Sequence, residues 1–94
     1  LLVDLRTLEQ ISPAFRALNP NGLIPVLETE DGPLFETAAI LLWIAERENG
    51  LFPPVGDPGR MHHIQWLMWL GNTVHPAMRI AFNPERYSQD DAFA

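Results

Sequence analysis

Cysteine is absent from the 94 residues, and so is lysine, all six basic residues being arginine. Without cysteine these residues can form no disulfide framework and no thiolate-held metal site. A cysteine nucleophile within them is excluded for the same reason. Positive charge is scarce: six basic residues stand against twelve acidic ones, a formal net charge of −6. That balance repels a phosphate backbone, so nucleic acid is not an expected partner. The acidity reads instead as a solvated surface. Long apolar runs are missing too. The longest, Ala38 to Ala45, falls well short of the roughly 18 residues that a membrane helix requires, and no membrane partner is expected.

What is present is a 47% hydrophobic fraction, sufficient for a packed core. The length suits at most one small domain. The chain opens on Leu1, not Met, and enters a strand-like run at once, so it is expected to begin inside a domain.

Leu1 to Leu5 reads as the end of a strand. Ser12-Pro13 has the form of an N-cap followed by proline at the first helical position. Phe15 and Leu18 share a face of that short helix, and Asn19-Pro20-Asn21-Gly22 stops it. Leu23 to Glu36 reads as a hairpin, with Ile24, Val26 and Leu27 in the first arm, Leu34 and Phe35 in the second, and Asp31-Gly32 in the connection. Thr37 to Asn49 reads as a helix, apolar nearly all round and therefore expected to be buried on more than one side. Gly50 is placed to close it in a left-handed conformation. Residues 52–59 hold three prolines and two glycines, a connector composition. A longer helix is expected from about Arg60, with a kink near Asn72 imposed by Pro76 and an end at Asn83-Pro84. The order predicts an α/β layer over residues 1–51, a linker over 52–59 and the start of a helical domain over 60–94.

The segment from Asn19 to Ile44 carries the strongest pattern: Asn-Pro-Asn-Gly-Leu-Ile-Pro-Val-Leu, then Asp-Gly, then Leu-Phe-Glu-Thr-Ala-Ala-Ile-Leu-Leu-Trp-Ile. As a spaced set it resembles the glutathione transferase superfamily, and Val74-His75-Pro76 resembles its bacterial, beta-like class. The resemblance runs from Val3-Asp4-Leu5 to His75-Pro76. It implies a partial thioredoxin-like domain followed by the first helix of an all-α domain, in a cytoplasmic protein that forms a homodimer. Glutathione would be the substrate, with no metal. The residue that activates its sulfur, a Tyr, Ser or Cys in the family, has no counterpart here, since Tyr87 comes too late. These 94 residues by themselves are therefore expected to bind glutathione poorly and to lack conjugating activity.

The resemblance also implies roles for particular residues. Pro25 would follow a cis bond, and the backbone of Ile24 would pair with the cysteinyl part of glutathione by strand addition. From residues alone, a trans proline opening an edge strand is the commoner arrangement. Glu36-Thr37 would meet the γ-glutamyl end. A helix N-terminus with a hydroxyl suits its carboxylate, and the adjacent acid suits its ammonium. An ordinary helix cap would use the same two residue types. His75 could donate to a thiolate or shuttle a proton, or simply bond backbone at a kink. His62 and His63 are neighbours on different helix faces and make a poor metal pair. Trp43, Trp66 and Trp69 suit packing better than a substrate pocket. The family pattern leaves three functions open: transfer of the glutathione thiolate to a small electrophile, glutathione-dependent isomerisation or disulfide reduction, and a non-catalytic interaction module.

Overall fold

Asp4 governs the start of the chain. The computed structural model describes residues 2–88, and Leu2–Leu5 do not form the strand end expected over Leu1–Leu5, Leu1 itself lying outside the described residues. The Asp4 carboxylate accepts the Arg6 N–H at 3.0 Å, and the Thr7 hydroxyl donates to the Asp4 carbonyl at 3.0 Å. This local capping winds Leu5–Thr7 into a 3-10 turn. A second such turn, Glu9–Ile11, follows. The Asp4 N–H is itself taken by the Glu9 carboxylate at 2.7 Å. With Asp4, Arg6 and Thr7 bonded locally, the segment joins no sheet ladder that would hold it extended.

The backbone falls into two compact units, Leu1–Asn49 and Gly50–Ala94. In the first, Ser12 caps helix α1 (Pro13–Arg16) by accepting the Phe15 N–H at 3.2 Å, with proline at the start as its sequence suggests. Strands β1 (Val26–Thr29) and β2 (Gly32–Phe35) form an antiparallel hairpin, with Val26 opposite Phe35 and Thr29 opposite Gly32. The connection is thus two residues long. Gly32 takes the positive φ, 113°, that the turn requires. Thr29 stitches the turn, its hydroxyl accepting the Asp31 N–H at 3.2 Å and donating to the Gly32 carbonyl at 2.7 Å. The strand starts at Val26, so Ile24 and Pro25 precede it and do not lie within the first arm.

Helix α2 spans Thr37–Arg47 and packs on β2. It ends two residues short of Asn49. Glu48, extended at φ −101°, terminates it, and the positive φ of Gly50 falls beyond the helix end. Its burial is one-sided, against expectation. Ile40 is 8% exposed, but Leu41 and Ile44 are 51% and 40% exposed. One two-stranded sheet presents a single face to a helix, so it covers a single stripe of it. Phe15 and Ile40 are the buried apolar side chains among the described residues.

In the second unit, Arg60 ties the Pro-rich segment to helix α3 (Arg60–Trp69). Its guanidinium donates to the Pro53 carbonyl at 2.8 Å and lies 5.1 Å from the Phe52 ring. The expected kink takes the form of a π-turn at Leu70–Val74, running into helix α4 (His75–Phe82). Pro76 has no N–H to offer the Asn72 carbonyl, and the wider turn is how the chain accommodates that gap. Asn83-Pro84 ends α4 as anticipated. No helix among the described residues is long and apolar enough to cross a membrane.

Candidate functional site

The hairpin register brings four of the five sequence-selected residues to one place. Val26 pairs with Phe35. Ile24-Pro25 on one side and Glu36-Thr37 on the other are therefore the residues immediately outside that pair, at the same open end of the hairpin, on the order of 10 Å across. His75 begins α4 and belongs to the second unit.

Each side of this corner presents unpaired backbone. The Ile24–Pro25 peptide is cis, as the resemblance implies. Ile24 is half exposed, and among the described residues neither its N–H nor its carbonyl has a hydrogen-bond partner. Opposite it, α2 opens without a cap. Glu36 occupies the N-cap position, yet its side chain makes no capping bond. The first helical bond runs from the Ile40 N–H to the Glu36 carbonyl at 3.0 Å. That leaves the N–H groups of Thr37, Ala38 and Ala39 without partners among the described residues. The Thr37 hydroxyl is equally uncommitted and exposed. The ordinary-cap arrangement is thus not the one adopted here.

Glu36 also sits at φ 74° and ψ 115°, a left-handed conformation rare for a residue with a side chain. Strain of this kind persists where surrounding structure over-determines it, and it collects at ligand sites. An exposed carboxylate, a free hydroxyl and three outward amides at the positive end of an eleven-residue helix can hold a group bearing both a carboxylate and an ammonium. The adjacent Ile24 peptide can hold an extended peptide by main-chain bonds.

A cavity of about 510 Å³ shares Ile24 and Pro25 with this corner. Leu2, Val3, Phe15 and Leu18 line it, with residues 24–28 as one wall. Glu36 and Thr37 take no part in it, and its apolar lining suits packing, not a charged ligand. No group of three or more His, Asp or Glu among the described residues could hold a metal ion. Trp66 and Trp69 stack edge to face at 5.4 Å while remaining well exposed, and Trp43 carries the Arg47 guanidinium 3.5 Å above its ring. The His63 ring bonds the Gly59 carbonyl at 2.9 Å, so it is occupied locally. The open amides of Ala38 and Ala39 are features that residue-type reasoning passes over, since alanine side chains carry no signal. Only their position in the first helical turn could have found them.

The hairpin and the helix that follows it fit part of a thioredoxin-like α/β arrangement. Residues 2–47 match the family model described as glutathione S-transferase, N-terminal domain. Over 76 residues the chain is 38% identical to the uncharacterized GST-like protein YncG of Escherichia coli, covering 80% of this chain and 37% of that protein. Over 83 residues it is 39% identical to the disulfide-bond oxidoreductase YfcG of Escherichia coli, covering 81% of this chain and 38% of that one. A crystal structure of a glutathione transferase homolog from Sulfitobacter, with bound glutathione, superposes with a TM-score of 0.79 at 27% identity, covering 99% of this chain and 46% of that one. The chain belongs to the glutathione transferase superfamily. It spans less than half the length of these relatives.

Proposed function

We propose that these residues form the glutathione-binding part of a glutathione transferase that joins the glutathione sulfur to a small electrophile. The observation that carries this is the pairing of two uncommitted backbone surfaces at one hairpin end: the Ile24 peptide, and the Thr37–Ala39 amides with the strained Glu36. Ile24 bonds the cysteinyl residue of the tripeptide through its N–H and carbonyl. The Thr37 hydroxyl and the amides behind it hold the γ-glutamyl carboxylate, and Glu36 holds the ammonium. The thiol proton leaves for a base, the sulfur attacks the electrophilic carbon, and the leaving group departs with its electron pair. The working form is a homodimer, with the helical part beginning after the 52–59 connector.

Disulfide reduction on the same scaffold is the second reading, favoured by the 39% identity to a disulfide-bond oxidoreductase. Both reactions start from bound glutathione. The test is calorimetric titration of reduced glutathione into the full-length natural polypeptide that carries these residues, followed by assays with a chlorinated aromatic electrophile and with a small disulfide. Binding without either turnover would leave the interaction-module alternative. Absence of binding up to millimolar glutathione would remove the proposal altogether.

A further inference from the structure

We infer that Asn19 is a positioning residue for the ligand-facing Ile24 amide, an inference that rests on the glutathione-binding reading of that amide. Asn19 is the most enclosed polar side chain among the described residues, 3% exposed. A buried amide must find partners, and this one finds all of them in one short loop. Its Oδ1 accepts the Asn21 N–H at 3.0 Å, and its Nδ2 donates to the Leu23 carbonyl at 2.8 Å. The partners fix which end is which, because an N–H can only donate and a carbonyl can only accept. Its backbone joins in: the Asn19 N–H donates to the Phe15 carbonyl, and its own carbonyl accepts the Gly22 N–H, both at 3.0 Å. The loop is thereby anchored to the end of α1.

The consequence for the site follows from peptide geometry. The Leu23 carbonyl and the Ile24 N–H belong to one planar peptide and point in opposite directions. By drawing the Leu23 carbonyl inward at 2.8 Å, Asn19 turns the Ile24 N–H outward, away from the loop, where no described group meets it. Gly22 lets the loop close this tightly. At φ 65° it lies so near the preceding segment that a Cβ there would stand 3.1 Å from the Gln10 carbonyl and 3.3 Å from the Ile11 side chain. Asn19 never touches the ligand. It sets the plane that does.

Asn19→Asp keeps an acceptor for the Asn21 N–H but puts a carboxylate against the Leu23 carbonyl. Asn19→Ser is gentler and keeps a shorter polar group. Ile40→Val, in the core, serves as a control for lost stability alone. The measurement is the Kd for reduced glutathione, with kcat and KM, on the full-length natural polypeptide well below each variant's melting temperature. Asn19→Asp is expected to weaken glutathione binding about tenfold, raising KM for glutathione while kcat at saturation stays near wild type. Asn19→Ser shifts the same way by less, and Ile40→Val leaves Kd unchanged. Wild-type Kd in both Asn19 variants, whatever their melting temperatures, overturns the inference. Should the Asp variant not fold, the Ser variant decides by the same criterion. Wild-type protein that binds no glutathione overturns the underlying reading instead, which keeps the two failures apart.

Discussion

Thr37→Val separates a ligand site from a helix cap. Valine has the shape of threonine without the hydroxyl, and the two have similar helix propensities. Thr37 is exposed at the first position of α2, and its hydroxyl bonds nothing among the described residues. Stability should therefore move by no more than about 0.5 kcal/mol. Affinity should move far more. A hydrogen bond from a neutral donor to a carboxylate contributes about 1.5–3 kcal/mol. At 1.4 kcal/mol per tenfold, that is roughly a 10- to 150-fold rise in the Kd for reduced glutathione.

Calorimetric titration gives the affinity and urea unfolding the stability, on the same preparations. An ordinary cap residue reverses the pattern, losing about 1 kcal/mol of stability with affinity intact. That reversed result would refute the reasoning, because it would mean the hydroxyl serves the helix and not the γ-glutamyl carboxylate.

Glu36→Gly removes both the carboxylate and the strain at φ 74°. Relief of about 1–3 kcal/mol, less about 0.5–1 kcal/mol for glycine's extra freedom when unfolded, predicts a more stable protein that binds glutathione more weakly; a destabilised variant with full affinity would contradict both halves. Ser12→Ala loses the 3.2 Å capping bond to the Phe15 N–H and should cost about 1 kcal/mol in urea unfolding, an unchanged midpoint being the contrary result. Pro76→Ala supplies an N–H for the Asn72 carbonyl, so the π-turn at Leu70–Val74 should contract to regular α-helix, with a stability gain of at most about 3 kcal/mol. Hydrogen exchange at position 76 reads this directly, and rapid exchange there would refute the account of the turn.

Features whose cause lies within three or four residues were legible before any coordinates. Ser12-Pro13 starts α1 because a cap and a first-turn proline are local signals, and α2 starts at Thr37, where the apolar helical run begins. The gap left by Pro76 shows at Asn72 for the same reason. Leu1–Leu5 misled because a strand is defined by a neighbour, which no run of five residues names, while Asp4 offered the backbone a local alternative. The exposed Leu41 and Ile44 misled similarly, since an apolar helix surface records what can be covered and not what covers it. Asn19 opens the Asn-Pro-Asn-Gly run that reads as a helix stop, and α1 ends three residues earlier, at Arg16. The second task of Asn19 depends on 3% exposure and on a carbonyl four residues away, and burial is not written in residue type.

The corner gathers open groups and backbone strain at adjacent residues. At several other places the chain satisfies its polar groups within a few residues: Asp4 and Glu9 around the first turn, Thr29 across the hairpin, Asn19 around its loop; α3 also lacks a side-chain cap, Leu8 also has positive φ and Gln10 Oε1 is buried without a partner, but no two of these adjoin in the chain. At Ile24 and Thr37–Ala39 it leaves backbone groups open on facing sides of one hairpin end, and it holds a non-glycine residue at positive φ between β2 and α2. Capping α2 would have needed only Ser, Asp or Asn where Glu36 stands. A stability-only account must treat the missing cap and the strained Glu36 as two unrelated losses at adjacent residues. A tripeptide bound along Ile24 with its charged end at Thr37 accounts for both at once, because the groups left open are those such a ligand would fill.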